Sequence, residues 1–127
     1  EYFKLYLSDV GLLTSLLEIQ YNDILLDNSF LYKGNIAENY VAAQLVRNGL
    51  SLYYWKSNSD AEIDFILYNE DGLIPIEVKA SDNITSKSLN SYMKQYNPKY
   101  SIRISSKNFG FENNIKSVPL YAAFLIK

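Results

Sequence analysis

Four side chains of this sequence have the types and spacing to act together: Glu38, Asp64, Glu77 and Lys79. Paired carboxylates are the usual protein ligands of Mg²⁺, which takes one or two of them and completes its shell with waters and substrate phosphate. A metal held this way acidifies a coordinated water and offsets charge on a phosphate ester. A lysine two residues beyond a ligand on the same strand face can orient or activate that water and stabilise phosphorane-like charge. The alternatives are few. The chain has no His and no Cys, which removes Ser-His-Asp chemistry, imidazole bases, thiol nucleophiles and thiolate zinc sites.

Two strands must position three of the four. With a period of two, Glu62, Asp64, Ile66 and Tyr68 share one face of a strand over 61–68, and Ile63, Phe65 and Leu67 the other. On a strand over 73–80, Glu77 and Lys79 share a face while Ile74, Ile76 and Val78 point away. Asn69-Glu70-Asp71-Gly72 is a hairpin signal. A turn centred on Glu70 and Asp71 places Asp64 opposite Glu77, and Glu62 opposite Lys79. An Asp71-Gly72 turn places Asp64 opposite Lys79, with Glu77 diagonal. Either register keeps Asp64, Glu77 and Lys79 within reach of one another. Opposed carboxylates repel, and a divalent cation would resolve the conflict. Glu38 lies on the inward stripe of Val41, Ala42 and Leu45, where a carboxylate is costly unless paired or bound. The bland reading of all four is an ion-pair cluster, with Lys79 paired to Glu62 or Glu77 and Glu38 near the positive end of its helix.

The remaining elements follow from caps and stops. Asp9 is an N-cap for a helix to about Gln20. Residues 21–33 read as loop or irregular helix. A clear helix runs from near Asn35 to Asn48-Gly49. Strands follow at 52–56, 61–68 and 73–80, then a helix at 86–96 stopped by Asn97-Pro98. A strand at 100–105, a loop at 108–114 and a final strand at 118–126 close the chain. This order predicts an α/β (α+β) fold with a central mixed β-sheet flanked by helices.

With 127 residues, one domain is expected. Residues 1–78 hold 4 basic and 12 acidic side chains, a net of −8, and residues 79–127 hold 8 and 2, a net of +6. The basic half either meets an acidic polymer or simply faces the acidic half, and the second is preferred. Lys87, Lys94, Lys99, Arg103 and Lys107 are candidate phosphate contacts, with a solvated face as the default. Tyr40, Tyr53, Tyr54 and Trp55 are read as strand and core fillers rather than base-stacking platforms. Ser81 and Ser86 follow the Lys79 strand, where Ser86 can cap the next helix. No apolar run is long enough to span a bilayer.

Glu38, Asp64 and the run Ile76-Glu77-Val78-Lys79 resemble the pattern of the PD-(D/E)XK nuclease superfamily, to which Holliday-junction resolvases and restriction endonucleases belong. The superfamily's αβββαβ core matches the element order from about 35 to 105, so the resemblance implies a restriction-endonuclease-like core. It implies Asp64 and Glu77 as metal ligands with help from the Val78 carbonyl. It also implies Lys79 as catalytic lysine, Glu38 as the helix carboxylate of the site, and Mg²⁺ or Mn²⁺ as cofactor. Ile63 stands where the superfamily has a Pro before the Asp.

A closer resemblance spans nearly the whole chain. The stretches LYLSDVGLLTSLL, KGNIAENYVAAQLVRNG, LYYWKSNSDAEIDFIL, IPIEVKAS and KSLNSYMKQYNPKYSIRIS look like the C-terminal domain of a large group of prokaryotic AAA+-superfamily ATPases. There, a P-loop ATPase and a winged helix come first. The resemblance implies that residues 1–127 are a single nuclease-like domain cut from a longer cytoplasmic protein. No GxxxxGK[ST] occurs here, so ATP is expected only in the missing domain. The implied activity is metal-dependent hydrolysis of DNA phosphodiesters. DNA and the ATPase and winged-helix parts are the expected partners, with no membrane and with a homo-oligomer left open. The alternative is a non-catalytic interaction or regulatory module that retains the nuclease fold, suggested by the acidic total charge, since many nucleic-acid binders are basic.

Overall fold

The computed structural model describes residues 3–26, 31–58, 60–80 and 86–127. Asp9 caps α1 (Val10–Leu16), its carboxylate accepting the Leu12 N–H at 2.8 Å. The helix stops short of the expected Gln20, because Glu18 turns left-handed at φ 53°. A second short helix, α2 (Tyr21–Leu25), follows.

The long helix α3 (Lys33–Arg47) buries Ala37, Val41, Ala42 and Leu45, the stripe its spacing predicted. Gly49 ends it at φ 79°. The Gly49 N–H donates to the Val46 carbonyl and the Leu50 N–H to the Leu45 carbonyl, a Schellman closure that a residue with a β-carbon would strain.

Strands β1 (Tyr53–Lys56), β2 (Glu62–Asn69) and β3 (Gly72–Val78) come next, then α4 (Lys87–Tyr96) and β4 (Ser101–Ser105). β5 (Gly110–Glu112), β6 (Ile115–Pro119) and a 3-10 helix (Leu120–Leu125) complete the chain. One open, mixed sheet results, in the order β1-β2-β3-β4-β6-β5. β3, β4 and β6 run parallel, and the pairs β1–β2, β2–β3 and β5–β6 are antiparallel. The α/β expectation is met, including the αβββαβ order from α3 to β4.

Two expectations fail at the C-terminal end. Residues 108–114 are not all loop: β5 pairs with β6. Asn113 and Asn114, at φ 51° and 59°, form the hairpin turn, and Asn tolerates that left-handed backbone. The final strand does not reach 126 but ends at Pro119, and the 3-10 helix takes over. Ala122 and Ala123 are both buried, which a strand's period of two cannot arrange. The Asn48 side chain clasps this end through the Phe124 and Ile126 carbonyls at 2.7 and 2.6 Å.

Both sheet faces are covered. Val41, Ala42 and Leu45 of α3 pack with Phe65, Leu67, Ile74, Ile76, Ile102 and Ile104. On the other face Leu89 and Tyr92 of α4 pack with Ile63, Ile66 and Ile115. Among the described residues no helix is long and apolar enough to cross a membrane.

Candidate functional site

The β2–β3 ladder pairs Phe65 with Ile76 and runs to Asn69 with Gly72, the first of the two expected registers. It ends at Phe65–Ile76. One residue earlier on β2, the Asp64 side chain accepts the Val78 N–H at 2.7 Å and so replaces a ladder acceptor. The Lys79 N–H turns to the Ile104 carbonyl of β4 instead, at 2.8 Å.

β2 is bulged here, which the alternation reading missed. Tyr53 pairs with Ile66 and Trp55 with Ile63, so β1 advances two residues while β2 advances three. The extra residue puts Ile63 and Ile66 in the same core, on the α4 face. Asp64 and Phe65, neighbours in sequence, both turn to the α3 side. The expected shared face of Asp64 and Ile66 is thereby corrected. A bulge re-aims a side chain in this way and is over-represented beside functional sites.

The predicted residues fall into two linked groups. Glu38 of α3 and Asp64 stand together with Glu62 around the ammonium of Lys4, at 2.9 Å (Glu38), 3.8 Å (Asp64) and 2.5 Å (Glu62). The Tyr54 ring lies 5.6 Å from the same ammonium. Glu77 and Lys79 form the second group, an ion pair at 3.0 Å. Along β3, Ile74, Ile76 and Val78 serve the α3 core, so Glu77 alternates to the opposite side. Asp64 and Glu77 therefore do not share the face the alternation expected, although the charge of Glu77 is felt at Asp64. Val78 is brought to Asp64 through its N–H. Lys79 pairs with Glu77, one of the two partners the bland reading named, and Glu62 pairs with Lys4 instead.

Burial sets the electrostatics. The Asp64 carboxyl is pushed up to about 6, chiefly by desolvation. The Val78 N–H opposes that shift, Glu38 adds to it, Lys4 opposes it and Glu77 adds to it. Burial alone would lower the Lys4 ammonium, but its bonds to Glu62 and Glu38 and the nearby charges of Glu38 and Asp64 leave it raised. The Tyr6 hydroxyl is pushed far up by burial and by its bond to Glu38. Glu77 is only 4% exposed, and its Oε2 has no hydrogen-bond partner among the described residues.

Lys4, Tyr6 and Asn39 were not anticipated. Tyr6 donates to Glu38 at 2.5 Å. The buried Asn39 side chain grips the backbone of Leu7 twice, accepting its N–H at 2.8 Å and donating to its carbonyl at 2.9 Å. No sequence signal marked them: the alternation is inverted, with Phe3 and Leu5 82% and 84% exposed while Lys4 and Tyr6 turn inward.

Oxygen donors of this kind suit a hard divalent ion. The buried oxygen of Glu77 without a partner among the described residues is an acceptor of the right chemistry. Among the described residues, however, no three carboxylates are grouped as ligands of one ion. Mg²⁺ can be held by two carboxylates when waters and phosphate complete its shell.

Other candidates resolve blandly. Trp55 stacks edge-on against Tyr92 and Tyr96, at 5.2 and 5.8 Å between ring centres. Ser86 precedes α4 but makes no cap bond, and its hydroxyl accepts from Arg103 Nε at 2.9 Å. Ser81 lies outside the described residues. Lys99 pairs with Asp71, which with Lys79–Glu77 joins the basic half to the acidic half. A largely apolar cleft of about 600 Å³ opens between α1, α3 and the ends of β3 and β4, with Lys79 and Tyr40 on its wall.

Residues 33–123 match the family described as Domain of unknown function (DUF4143). The chain belongs to that family. Comparison with curated proteins and with solved structures finds no match. The DUF4143 match contains Glu38, Asp64, Glu77 and Lys79, whereas Lys4 and Tyr6 lie before it.

Proposed function

We propose that this DUF4143 chain is a nuclease-like domain of PD-(D/E)XK type, the C-terminal module of a prokaryotic AAA+-superfamily ATPase, acting on DNA phosphodiesters with Mg²⁺ or Mn²⁺. The observation that carries the reading is Glu77. A carboxylate this buried, with one oxygen paired to Lys79 and the other unpartnered among the described residues, is costly to the fold unless something binds it. Asp64 adds to the cost, because burial disfavours its charge. Such costs are characteristic of functional sites.

In this reading Asp64 and Glu77 would hold the ion, with the Val78 carbonyl as a further donor. When bound, Mg²⁺ supplies acidification of a coordinated water and charge for the phosphate. Lys79, paired to Glu77, would be the group to orient that water and to meet charge developing on the phosphoryl oxygens. Glu38 lies beside Asp64 and adds negative charge at the rim of the site. ATP would be bound by the ATPase part, not by these residues.

The test is nicking of supercoiled and branched DNA with Mn²⁺, run beside Asp64→Ala and Lys79→Ala. The expected result is cleavage by the wild type only. Cleavage that persists unchanged in both variants removes the site.

The place of Lys4 favours a second reading. An ammonium already neutralises Glu38 and Glu62, as expected of a non-catalytic interaction or regulatory module that retains the fold. Salt-sensitive DNA affinity without cleavage, together with no heat of Mn²⁺ binding at millimolar metal, would support this one.

A further inference from the structure

The N-terminal segment crosses the carboxylates as a strap, and its grip is largely polar. Lys4 bridges Glu38 and Glu62 and lies 3.8 Å from Asp64 Oδ1. Tyr6 donates to Glu38, and Asn39 fixes the backbone of Leu7. Phe3 and Leu5 lie in water, while Tyr6 packs against the α3 core with its ring 5.7 Å from that of Phe65, and Leu7 is half-buried.

A segment whose grip is largely polar and ionic can be displaced by charge. Polar and ionic contacts exchange against water or a competing ion at modest net cost, whereas apolar burial does not. A divalent ion settling on Asp64 Oδ1 would face an ammonium 3.8 Å from the same oxygen, and the two cations repel. Lys4 is itself held in place by its ion pairs with Glu38 and Glu62.

We infer that residues 3–7 form a latch in which Lys4 is a resident counter-cation, so that a divalent metal binds Asp64 and Glu77 only as the latch lifts. The inference rests on the metal-site reading above and adds its regulation. The same carboxylates then choose between two cations. With Lys4 in place the domain is stable and closed; with the metal, Lys4 and Tyr6 are released and the side of Asp64 facing them opens to substrate.

Calorimetric titration of the chain with Mn²⁺ separates the possibilities. Lys4→Met keeps the side chain's length and removes its charge, and it is expected to bind Mn²⁺ at least tenfold more tightly than wild type. Tyr6→Phe keeps the ring on Phe65 and removes the bond to Glu38, with an expected gain of a few-fold. It is the more conservative change if Lys4→Met folds poorly by circular dichroism. Adding Asp64→Ala to Lys4→Met should return the heat of binding to baseline. Equal affinity in the wild type and both variants would overturn the latch and leave the metal site standing. No binding in any of them would overturn both.

Discussion

The β2–β3 hairpin carries charge at both ends, under opposite conditions. At its turn, the Asn69 side chain accepts the Asp71 N–H at 2.9 Å and Lys99 pairs with Asp71 at 2.5 Å. Those groups stand in water, where a charge costs little and a pair gains little. At its open end the closest contact is also 2.5 Å, between Lys4 and Glu62. There Glu38, Glu62, Asp64 and Glu77 crowd two ammonium groups, Asp64 resists ionisation and one oxygen of Glu77 is unpartnered among the described residues. One end is arranged as stability would arrange it. The other spends stability on concentrated, partly buried negative charge, the usual mark of a site that binds something.

The largest predicted effect comes from the strands that join the two ends. Ile74 is fully buried between α3 and the sheet. Ile74→Ala should cost about 3–4 kcal/mol in urea unfolding, from lost burial and the cavity left behind. Mn²⁺ affinity of the folded fraction should not change. A parallel loss of affinity would show that the two ends are not separable.

Next is a substitution that should stabilise. Asp64 has its carboxyl raised from 3.8 to about 6, so the native state holds a proton that the unfolded chain releases. Below pH 4 the two states are equally protonated and the group costs nothing. Between pH 4 and 6 stability falls, and above 6 the cost is complete. Asp64→Asn removes that titration while its side-chain oxygen can still accept the Val78 N–H. In metal-free protein the variant should be more stable by about 2 kcal/mol at pH 8 and no more stable at pH 3.5. A variant less stable than wild type at pH 8 would mean that Lys4 compensates Asp64 fully.

Lys4→Met should act in the other direction. Removing the ammonium leaves Glu38 and Glu62 facing each other and Asp64 without compensation. For a half-buried group the expected loss is about 1–2 kcal/mol without metal. Combined with Asp64→Asn the loss should shrink, because neighbours in one network are not additive. Strict additivity in the double variant would place Asp64 outside the Lys4 cluster.

How much of this was readable beforehand follows from the kind of signal. Asp9 and Gly49 are local devices whose chemistry is complete within a few residues, and both helix ends stand where the sequence put them. The hairpin register was legible as one of two options because the turn residues fix it. The bulge at Asp64 was not, since it depends on how β1 pairs with β2 across the loop between them. Asn113-Asn114 was a legible hairpin turn that went unread. Lys4 and Tyr6 were invisible for a stronger reason. Their partners lie more than 30 residues away, and no period connects an extended strap to a helix and a bulged strand. The types of the site residues could be read from sequence, but the cation standing among the acids required the fold.

The smallest effect is predicted at the turn, and it calibrates the others. Lys99 makes an ion pair as short as that of Lys4 with Glu62. Its bond to Asp71 raises its pKa just as the bonds to Glu62 and Glu38 raise that of Lys4. They differ in burial and in company: Lys4 has Glu38, Glu62 and Asp64 around it, and Lys99 has Asp71. If contact length set the value of an ion pair, Lys99→Met and Lys4→Met would shift the melting temperature alike. If desolvation sets it, Lys99→Met should leave both the melting temperature and Mn²⁺ binding unchanged, and its response to added salt should match wild type. A Lys99→Met protein that melts as early as Lys4→Met would make the open end an ordinary ion-pair cluster.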